Sequence, residues 1–303
     1  MRVGINLPQL GRATTAALLV QAAERAEALG YDSLWVWERL LAPLTPQTPY
    51  PGSADGQLPA ACSHAWDPLT VLGAVASRTS RVALGTSVLD IPYYNPVVLA
   101  RALTTLDHLS SGRVRVGLGV GWSKDEFDAV GSSLGERAAR ADEFLEVLHA
   151  VWTTDPVEFQ GRFYQIPRSV IGLKPVQKPH PPVFLATYVP AGLERIGRRA
   201  DGWNPVGLPV EAMTARMREV AKAAGRDPGR LEVIVRANVA VTSKPLGADR
   251  PIFWGTIEQV KEDVARVRKM GVAELFFDPT VGGVVSPERY LTLMENLRTL
   301  VGA

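Results

Sequence analysis

The stretch RVALGTSVLDIPYYNPVVLARALTTLDHLSSGRVRVGLGVGW, residues 81–122, decides the fold that the sequence predicts. It begins at 81–88 with a run of apolar and β-branched residues that is typical of a strand. Apolar positions then recur at helical spacing over 95–110, and a second alternating run follows at 113–118. The stretch is therefore a strand–helix–strand unit against which the rest of the chain can be compared.

The same alternation repeats along the chain. Eight predicted strands are each followed by a predicted helix, which is the count of an α/β protein of the (β/α)8 TIM-barrel class. A doubly wound sheet is the competing interpretation, but no linker or shift of composition divides the chain, and the last helix allows the ring to close. We therefore expect one barrel domain over residues 1–303. The predicted strands are 2–7, 32–37, 81–88, 113–118, 182–187, 202–206, 231–241 and 272–277, and the predicted helices are 14–29, 67–78, 95–110, 136–152, 190–200, 209–224, 256–270 and 286–300.

Two long stretches interrupt this rhythm. Residues 39–66 follow strand two, and residues 154–181, which resemble a short hairpin and a proline-rich connection, precede strand five. Loops of this length are uncommon unless they bind ligands or act as lids. Because the loops after the strands of a barrel lie on the face that carries active sites, we expect residues 39–66 to shape a substrate pocket, with His64 as a pocket residue.

Composition excludes several classes of protein. The 303 residues carry 33 Lys and Arg against 31 Asp and Glu, a net charge of +2 that requires neither nucleic acid nor an anionic membrane as a partner. The chain has no basic-then-apolar leader and no run of eighteen apolar residues, so we expect a soluble, cytoplasmic protein. A single cysteine, Cys62, excludes an intramolecular disulfide. No HExxH, paired CxxC or GxSxG motif occurs, and no metal site is predicted.

Glycines stand at 117, 119 and 121, directly behind the strand 113–118. Their spacing does not match the dinucleotide fingerprint, and no Gly-Lys-Ser or Gly-Lys-Thr follows that would make a phosphate-binding P-loop. A period of two places all three on one face of a strand. The missing side chains leave room either for something flat or for another segment of backbone packed closely inside the barrel.

The order of the motifs resembles one family along residues 1–301, the luciferase-like barrel oxidoreductases, and especially the branch that depends on the deazaflavin coenzyme F420. The stretches that carry the resemblance are ALGYDSLWVWERL (28–40), the segment 81–131, and ERIGRRADGWNP (194–205). In the middle segment a Thr-Ser-Val strand end, an Asn-Pro, a Leu-Asp and the glycine strand occur in one order and spacing.

The resemblance implies a coenzyme at the carboxyl-terminal mouth of the barrel. A non-proline cis peptide would fall between Ser87 and Val88 and support the back of the ring system, and the three glycines would leave space beside the ring. Residues lining the same cavity would be Thr86, Gly119, Val120, Gly121 and Trp122. The phosphate would lie where a helix begins, a position that favours an anion. The residues there are Thr187, Tyr188, Val189, Pro190 and Ala191.

The chain also departs from this branch. Glu38 and Arg39 end strand two, where many deazaflavin enzymes have an Asp-His pair. We expect both to be catalytic residues, with Arg39 either paired to Glu38 or stabilising a negatively charged oxygen. Trp122 stands where the sugar-phosphate dehydrogenases of the branch have a glutamate, so that substrate is not expected. Trp37 and Trp122 would form apolar pocket walls, or would only pack the barrel.

The leading hypothesis is an F420-dependent oxidoreductase that transfers a hydride between the coenzyme and a small organic substrate. A second hypothesis uses the same fold with reduced FMN and oxygen, as a two-component monooxygenase. A third is a non-catalytic relative that binds a ligand or a partner subunit. The resemblance also implies a homodimer.

Overall fold

The computed structural model describes residues 1–53, 55–209, 211–280 and 286–301. In those ranges the chain forms strands and helices in the following order. The strands are β1 (Arg2–Asn6), β2 (Ser33–Val36), β3 (Ala83–Thr86), β4 (Leu89–Asp90), β5 (Val114–Gly119), β6 (Val157–Gln160), β7 (Gln165–Ser169), β8 (Val183–Leu185), β9 (Gly202–Trp203), β10 (Glu232–Asn238), β11 (Ala240–Val241), β12 (Trp254–Gly255) and β13 (Glu274–Asp278). The helices are α1 (Ala16–Ala28), α2 (Pro68–Ala76), α3 (Pro96–Leu109), α4 (Lys124–Ala129), α5 (Arg137–Thr153), α6 (Pro190–Arg199), α7 (Glu211–Ala223), α8 (Ile257–Lys269) and α9 (Pro287–Thr299).

Eight parallel strands close into a barrel. They follow one another around the ring in the order β1, β2, β3, β5, β8, β9, β10 and β13, and β13 pairs back onto β1 with Arg2 opposite Glu274. At least one helix follows each of these strands along the chain. The (β/α)8 barrel predicted from the sequence is therefore confirmed.

The helices begin where the sequence provides caps. Side chains at five helix starts accept a backbone N–H from the first turn, and proline occupies an early position in several of these helices, where its missing N–H costs nothing. The capping residues are Thr15, Asp67, Asn95, Thr256 and Ser286. The helix boundaries consequently fall close to the predicted ones.

The interior of the barrel is filled in three layers. At the amino ends of the strands, the fully buried Glu274 binds Arg2 and Arg115, and it accepts hydrogen bonds from Ser33 and from the indole of Trp35. The middle layer is apolar, and the rings of Trp35 and Phe276 stack with centroids 4.6 Å apart. The third layer, at the carboxyl ends, is polar. Side chains therefore close the barrel at the amino-terminal ends of its strands.

The two interruptions fold as local insertions. The first insertion, residues 39–66, contains a short 3-10 turn at Ala60–Ser63, and there Cys62 packs with Leu10 and Trp37. The second, residues 154–181, contains the predicted hairpin, formed by the antiparallel strands β6 and β7. In the described part of the chain, no helix is long and apolar enough to cross a membrane.

Candidate active site

The polar layer at the carboxyl ends of the strands is connected by hydrogen bonds. Ser87 Oγ donates to Asn204 Oδ1 at 2.6 Å, and Asn204 Nδ2 donates to the carbonyl of Ile234. Arg236, on β10, donates to the carbonyl of Ser87 at 2.9 Å and to Asp278 Oδ2 at 2.5 Å. A buried cation therefore links three strand ends at the centre of the mouth.

Trp37 covers one side of this layer. The guanidinium of Arg236 lies 4.8 Å from the centre of the Trp37 ring, and Gln9 fixes the Trp37 backbone through hydrogen bonds to both its N–H and its carbonyl. Trp37 Nε1 and Asn6 Oδ1 are buried, and neither has a hydrogen-bond partner within the described residues. A buried donor and a buried acceptor at the mouth are thus both left unsatisfied.

The peptide bond between Ser87 and Val88 is cis, as the resemblance implies. The side chain of Val88 lies over the glycine strand. A Cβ at Gly119 would come within 2.7 Å of Val88 Cγ2, and one at Gly117 would overlap the carbonyl oxygen of Thr86. The expectation that these two glycines leave space beside a ring was wrong, because the end of β3 already fills that space.

Thr86, which was expected to line the cavity at the mouth, instead faces β5. Its hydroxyl donates to the carbonyl of Gly117 at 2.8 Å and accepts from the Gly117 N–H at 2.9 Å, so it ties β3 to β5 instead of lining a cavity. Val120 packs against the core. Gly121 adopts a φ of 72°, which turns the chain after β5, immediately before Trp122.

Arg39 does not pair with Glu38. Its guanidinium binds both carboxylate oxygens of Glu126, with Nε 2.7 Å from Oε1, and the same carboxylate accepts from the Leu40 N–H and the Tyr93 hydroxyl. Its Cζ lies 5.1 Å from the centre of the Trp122 ring. Because Glu126 occupies the guanidinium of Arg39, Arg39 fixes the start of the first insertion to α4. The expected role for Arg39 in polarising a substrate oxygen therefore loses its support.

Glu38 is buried beside the mouth, not within it. Its carboxylate accepts from the Tyr94 hydroxyl and, at 2.7 Å, from the backbone N–H of Asp90. Burial raises the pKa of Glu38 to about 8. Both groups belong to residues 90–94, which lead into α3, and they occupy the two carboxylate oxygens of Glu38. The catalytic role expected for Glu38 gains no support from this geometry and stays a prediction.

A cavity of about 600 Å³ opens on the β9–β10 side of the mouth. Tyr50 from the first insertion covers it, and the opposite walls come from Val206 and from residues 251–254. The ring of Tyr50 lies 5.4 Å from that of Trp122. The first insertion therefore does shape a pocket at the mouth.

His64 lines a second cavity, of about 470 Å³, together with Arg12, Thr14 and Tyr290. This cavity lies beside residues that follow β1 and β13, and it differs from the one under Tyr50. The assignment of His64 to a substrate pocket stays a prediction. Its neighbour Cys62 is buried, and burial raises the pKa of that thiol to about 11, which makes it a poor nucleophile.

The segment 187–191 leads into α6, as predicted. Val189 precedes the helix without a side-chain cap, and Thr187 accepts the indole N–H of Trp203 through its carbonyl. The Tyr188 hydroxyl donates to the carbonyl of Val206, so this segment is joined to the rim of the 600 Å³ cavity. Pro190 and Ala191 are exposed in the first turn of the helix.

Sequence reasoning missed Arg236, Asn238 and Asp278. A signal was present, because β10 reads EVIVRAN and carries an arginine inside an otherwise apolar run. A charged residue at an inward-facing position of a barrel strand needs a partner or a ligand. Asp278 supplies the partner from the neighbouring strand.

A closed barrel with a polar layer, unsatisfied buried atoms and a cavity at the carboxyl ends of its strands is typical of proteins that bind small molecules at that end. The model of the luciferase-like monooxygenase family matches residues 1–251. The chain belongs to that family.

Three relatives illustrate the range of the family. An uncharacterised protein of Mycobacterium tuberculosis is 34% identical over 284 residues, which cover 91% of each chain. An F420-dependent glucose-6-phosphate dehydrogenase of Kineococcus radiotolerans is 30% identical over 259 residues, covering 82% of this chain and 72% of that protein. An FMNH2-dependent dimethylsulfone monooxygenase of Pseudomonas putida is 29% identical over 174 residues, covering 56% and 48%.

The fold has close counterparts among solved structures. The monooxygenase RslO1 from Streptomyces bottropensis superposes with a TM-score of 0.80 at 24% identity, covering 98% of both chains. At this level of identity, the likeness concerns the fold.

Proposed function

We propose that this protein is an oxidoreductase that transfers a hydride between coenzyme F420 and a small organic substrate at the carboxyl mouth of the barrel. The observation that carries the proposal is that Trp37 Nε1 and Asn6 Oδ1, two of the four buried side-chain atoms without a hydrogen-bond partner in the described chain, lie at the carboxyl ends of β2 and β1. Each such group costs about 1–3 kcal/mol when it is left without a partner. A ligand that supplied an acceptor and a donor together would recover that free energy.

The residues at the mouth fit a flavin or deazaflavin. Either ring system carries carbonyl acceptors and an N–H donor, so Trp37 and Asn6, with a free N–H and a free amide oxygen, are residues that would hold it. When bound, the coenzyme supplies or accepts the hydride. Ser87 and Val88 would lie against the ring, as the resemblance implies.

The protein's own contribution is orientation and charge. The buried Arg236 guanidinium, held by Asp278, provides a fixed positive charge that would stabilise negative charge developing on the ring or on a substrate oxygen. We assign this role to Arg236 in place of Arg39. Tyr50 and Trp122 would exclude water from the solvent side of the mouth. The uncapped start of α6 would bind the phosphate.

F420 is placed before FMN because the F420-dependent relative is matched over more of this chain than the FMN-dependent one. The shared ring outline keeps the FMN-dependent monooxygenase as the second candidate. A homodimer and a cytoplasmic location, both expected from the sequence, stay predictions.

Titration of the purified protein with F420 and, separately, with FMN tests the proposal. We expect F420 to raise the melting temperature, since a ligand at a hundred times its Kd adds about 2.7 kcal/mol to the free energy of unfolding. Trp37→Phe removes the unsatisfied N–H donor and should weaken F420 binding about tenfold, which corresponds to about 1.4 kcal/mol. The exposed Trp66 provides the matched control, Trp66→Phe, which should bind normally.

Anaerobic mixing with reduced F420 then tests the reaction. Activated alkenes, ketones and imines are screened for oxidation of the coenzyme. Tight binding of FMN without binding of F420 would replace the leading proposal by the monooxygenase. Binding of neither coenzyme by the folded protein would favour a non-catalytic relative.

A further inference from the structure

The cavity beside the mouth is mostly apolar. Its walls are made by Tyr50, Val206, Ile252, Phe253 and Trp254, which come from three separate segments of the chain. A volume of about 600 Å³ lies within the range of cavities that enclose small organic ligands. An occupant of this cavity would contact aromatic and aliphatic surface on most sides.

The charges around the cavity disfavour an anion. Asp55 is the ionisable side chain at its rim apart from Tyr50, and the described lining contains no lysine or arginine. The adjacent Arg250 is bound to Asp263 at 2.6 and 3.0 Å and to the carbonyl of Trp254. A phosphorylated substrate would meet the Asp55 carboxylate at the rim, and Arg236, the buried cation beside Asn238, is already paired with Asp278.

One polar group on the cavity wall is oriented by a neighbour. Asn238 Oδ1 accepts from Arg236 Nε at 3.1 Å. Because Arg Nε–H can only donate, the amide oxygen of Asn238 must face Arg236, and its NH2 group is directed away from it. Within the described chain, Asn238 Nδ2 has no hydrogen-bond partner, and Asn238 lines the cavity.

We propose that this cavity is the substrate pocket, that its substrate is an uncharged, largely apolar carbonyl compound, and that Asn238 Nδ2 donates a hydrogen bond to the carbonyl oxygen. The assignment rests on the oxidoreductase function proposed above. An apolar wall recognises the body of such a molecule, while the donor of Asn238, oriented by Arg236, recognises its oxygen. The pocket thereby differs from one that would select a sugar phosphate.

A matched pair of ligands tests the donor. Acetophenone and α-methylstyrene have nearly the same shape, but the second has a CH2 group in place of the oxygen. Binding is followed through tryptophan fluorescence, because Trp254 lines the cavity, with and without F420. Wild type should bind acetophenone about tenfold more tightly than α-methylstyrene, and it should not bind glucose 6-phosphate.

Asn238→Asp keeps an acceptor for Arg236 but removes the donor. It should abolish the preference for acetophenone and leave the affinity for α-methylstyrene unchanged. Asn238→Leu provides a second test if the first variant does not fold, and Asn296→Asp on the exposed surface of α9 is the control that should retain the preference.

Three results would overturn the assignment: equal affinity of wild type for both ligands, binding of glucose 6-phosphate, or loss of the preference in Tyr50→Phe but not in Asn238→Asp. The F420 titration is independent of these measurements. If F420 does not bind but the preference persists, the proposed reaction fails and the pocket stands. If F420 binds and no preference is found, the pocket assignment alone fails.

Discussion

Three carboxyl groups, those of Glu38, Asp90 and Glu126, are buried together beside the mouth. Arg39 binds Glu126, so Glu38 is left with the hydroxyl of Tyr94 and the backbone N–H of Asp90. These neutral donors do not offset the loss of hydration. Burial therefore raises the pKa of Glu38 to about 8 and that of Asp90 to about 6.

The raised pKa of Glu38 predicts a pH dependence of stability. In the unfolded chain this group titrates near 4.5, and in the folded protein near 8, so the folded state binds the extra proton between those values. Stability should therefore fall as the pH rises through this window, with each unit of pKa difference worth about 1.4 kcal/mol. Glu38→Gln should remove most of the decline, as measured by urea unfolding at pH 5, 7 and 9.

Glu295→Gln is the control for that measurement, because Glu295 forms an exposed pair with Arg25. Its free energy of unfolding should change with pH as that of wild type does. If the Glu38→Gln curve ran parallel to wild type, the buried carboxyl would not be the source of the dependence.

At the scale of elements, the contact between β3 and β5 explains why a strand ends in glycines. The end of β3 crosses the face of β5 so closely that its backbone and the side chain of Val88 occupy the space of two missing Cβ atoms. The glycines at 117 and 119 thus allow two strand ends to approach, and the third, at 121, turns the chain.

Substitution at two glycines separates this requirement from ordinary helix propensity. Gly117→Ala should lower the free energy of unfolding by about 3 kcal/mol, because its Cβ would overlap the Thr86 carbonyl oxygen. Gly73→Ala, inside α2 with no atom within 4 Å of the added Cβ, should raise it by about 1 kcal/mol. Thermal unfolding of both variants measures the contrast, and equal effects would contradict the packing argument.

The same elements show what can be predicted from the sequence. Hydrophobic periodicity is a local signal, and it located the eight strands and their helices, while its interruption located both insertions. The six-residue α4 is too short to display a helical period. The partner of Arg39 lies 87 residues away, and the glycine pattern is the same whether a ligand or a strand fills the space. Contacts of this kind join residues that are distant in the sequence and form only when the barrel closes, so local sequence patterns do not reveal them.

At the scale of the whole molecule, the two ends of the barrel differ. The amino-terminal end is closed by Glu274, which has no exposed surface and joins side chains from three other strands, β1, β2 and β5. The carboxyl-terminal end carries the polar layer and the cavity. Stability and ligand binding should therefore depend on different ends.

Glu274→Gln tests this division. Loss of the charge leaves Arg2 and Arg115 facing a neutral amide and should lower the free energy of unfolding by about 3 kcal/mol, while F420 affinity stays unchanged. Glu232→Gln, which meets the same two arginines but is 35% exposed, should cost less than about 1 kcal/mol. A loss of F420 affinity in Glu274→Gln equal to its loss of stability would show that the two ends are coupled.

Within the described residues, side chains close the amino-terminal end of the barrel, so ligands would enter from the carboxyl-terminal end. If the coenzyme ring lies on the polar layer and the substrate occupies the neighbouring cavity under Tyr50, both molecules use the same opening and must bind and leave one after the other. The fold would then impose ordered binding, with the coenzyme binding first and leaving last.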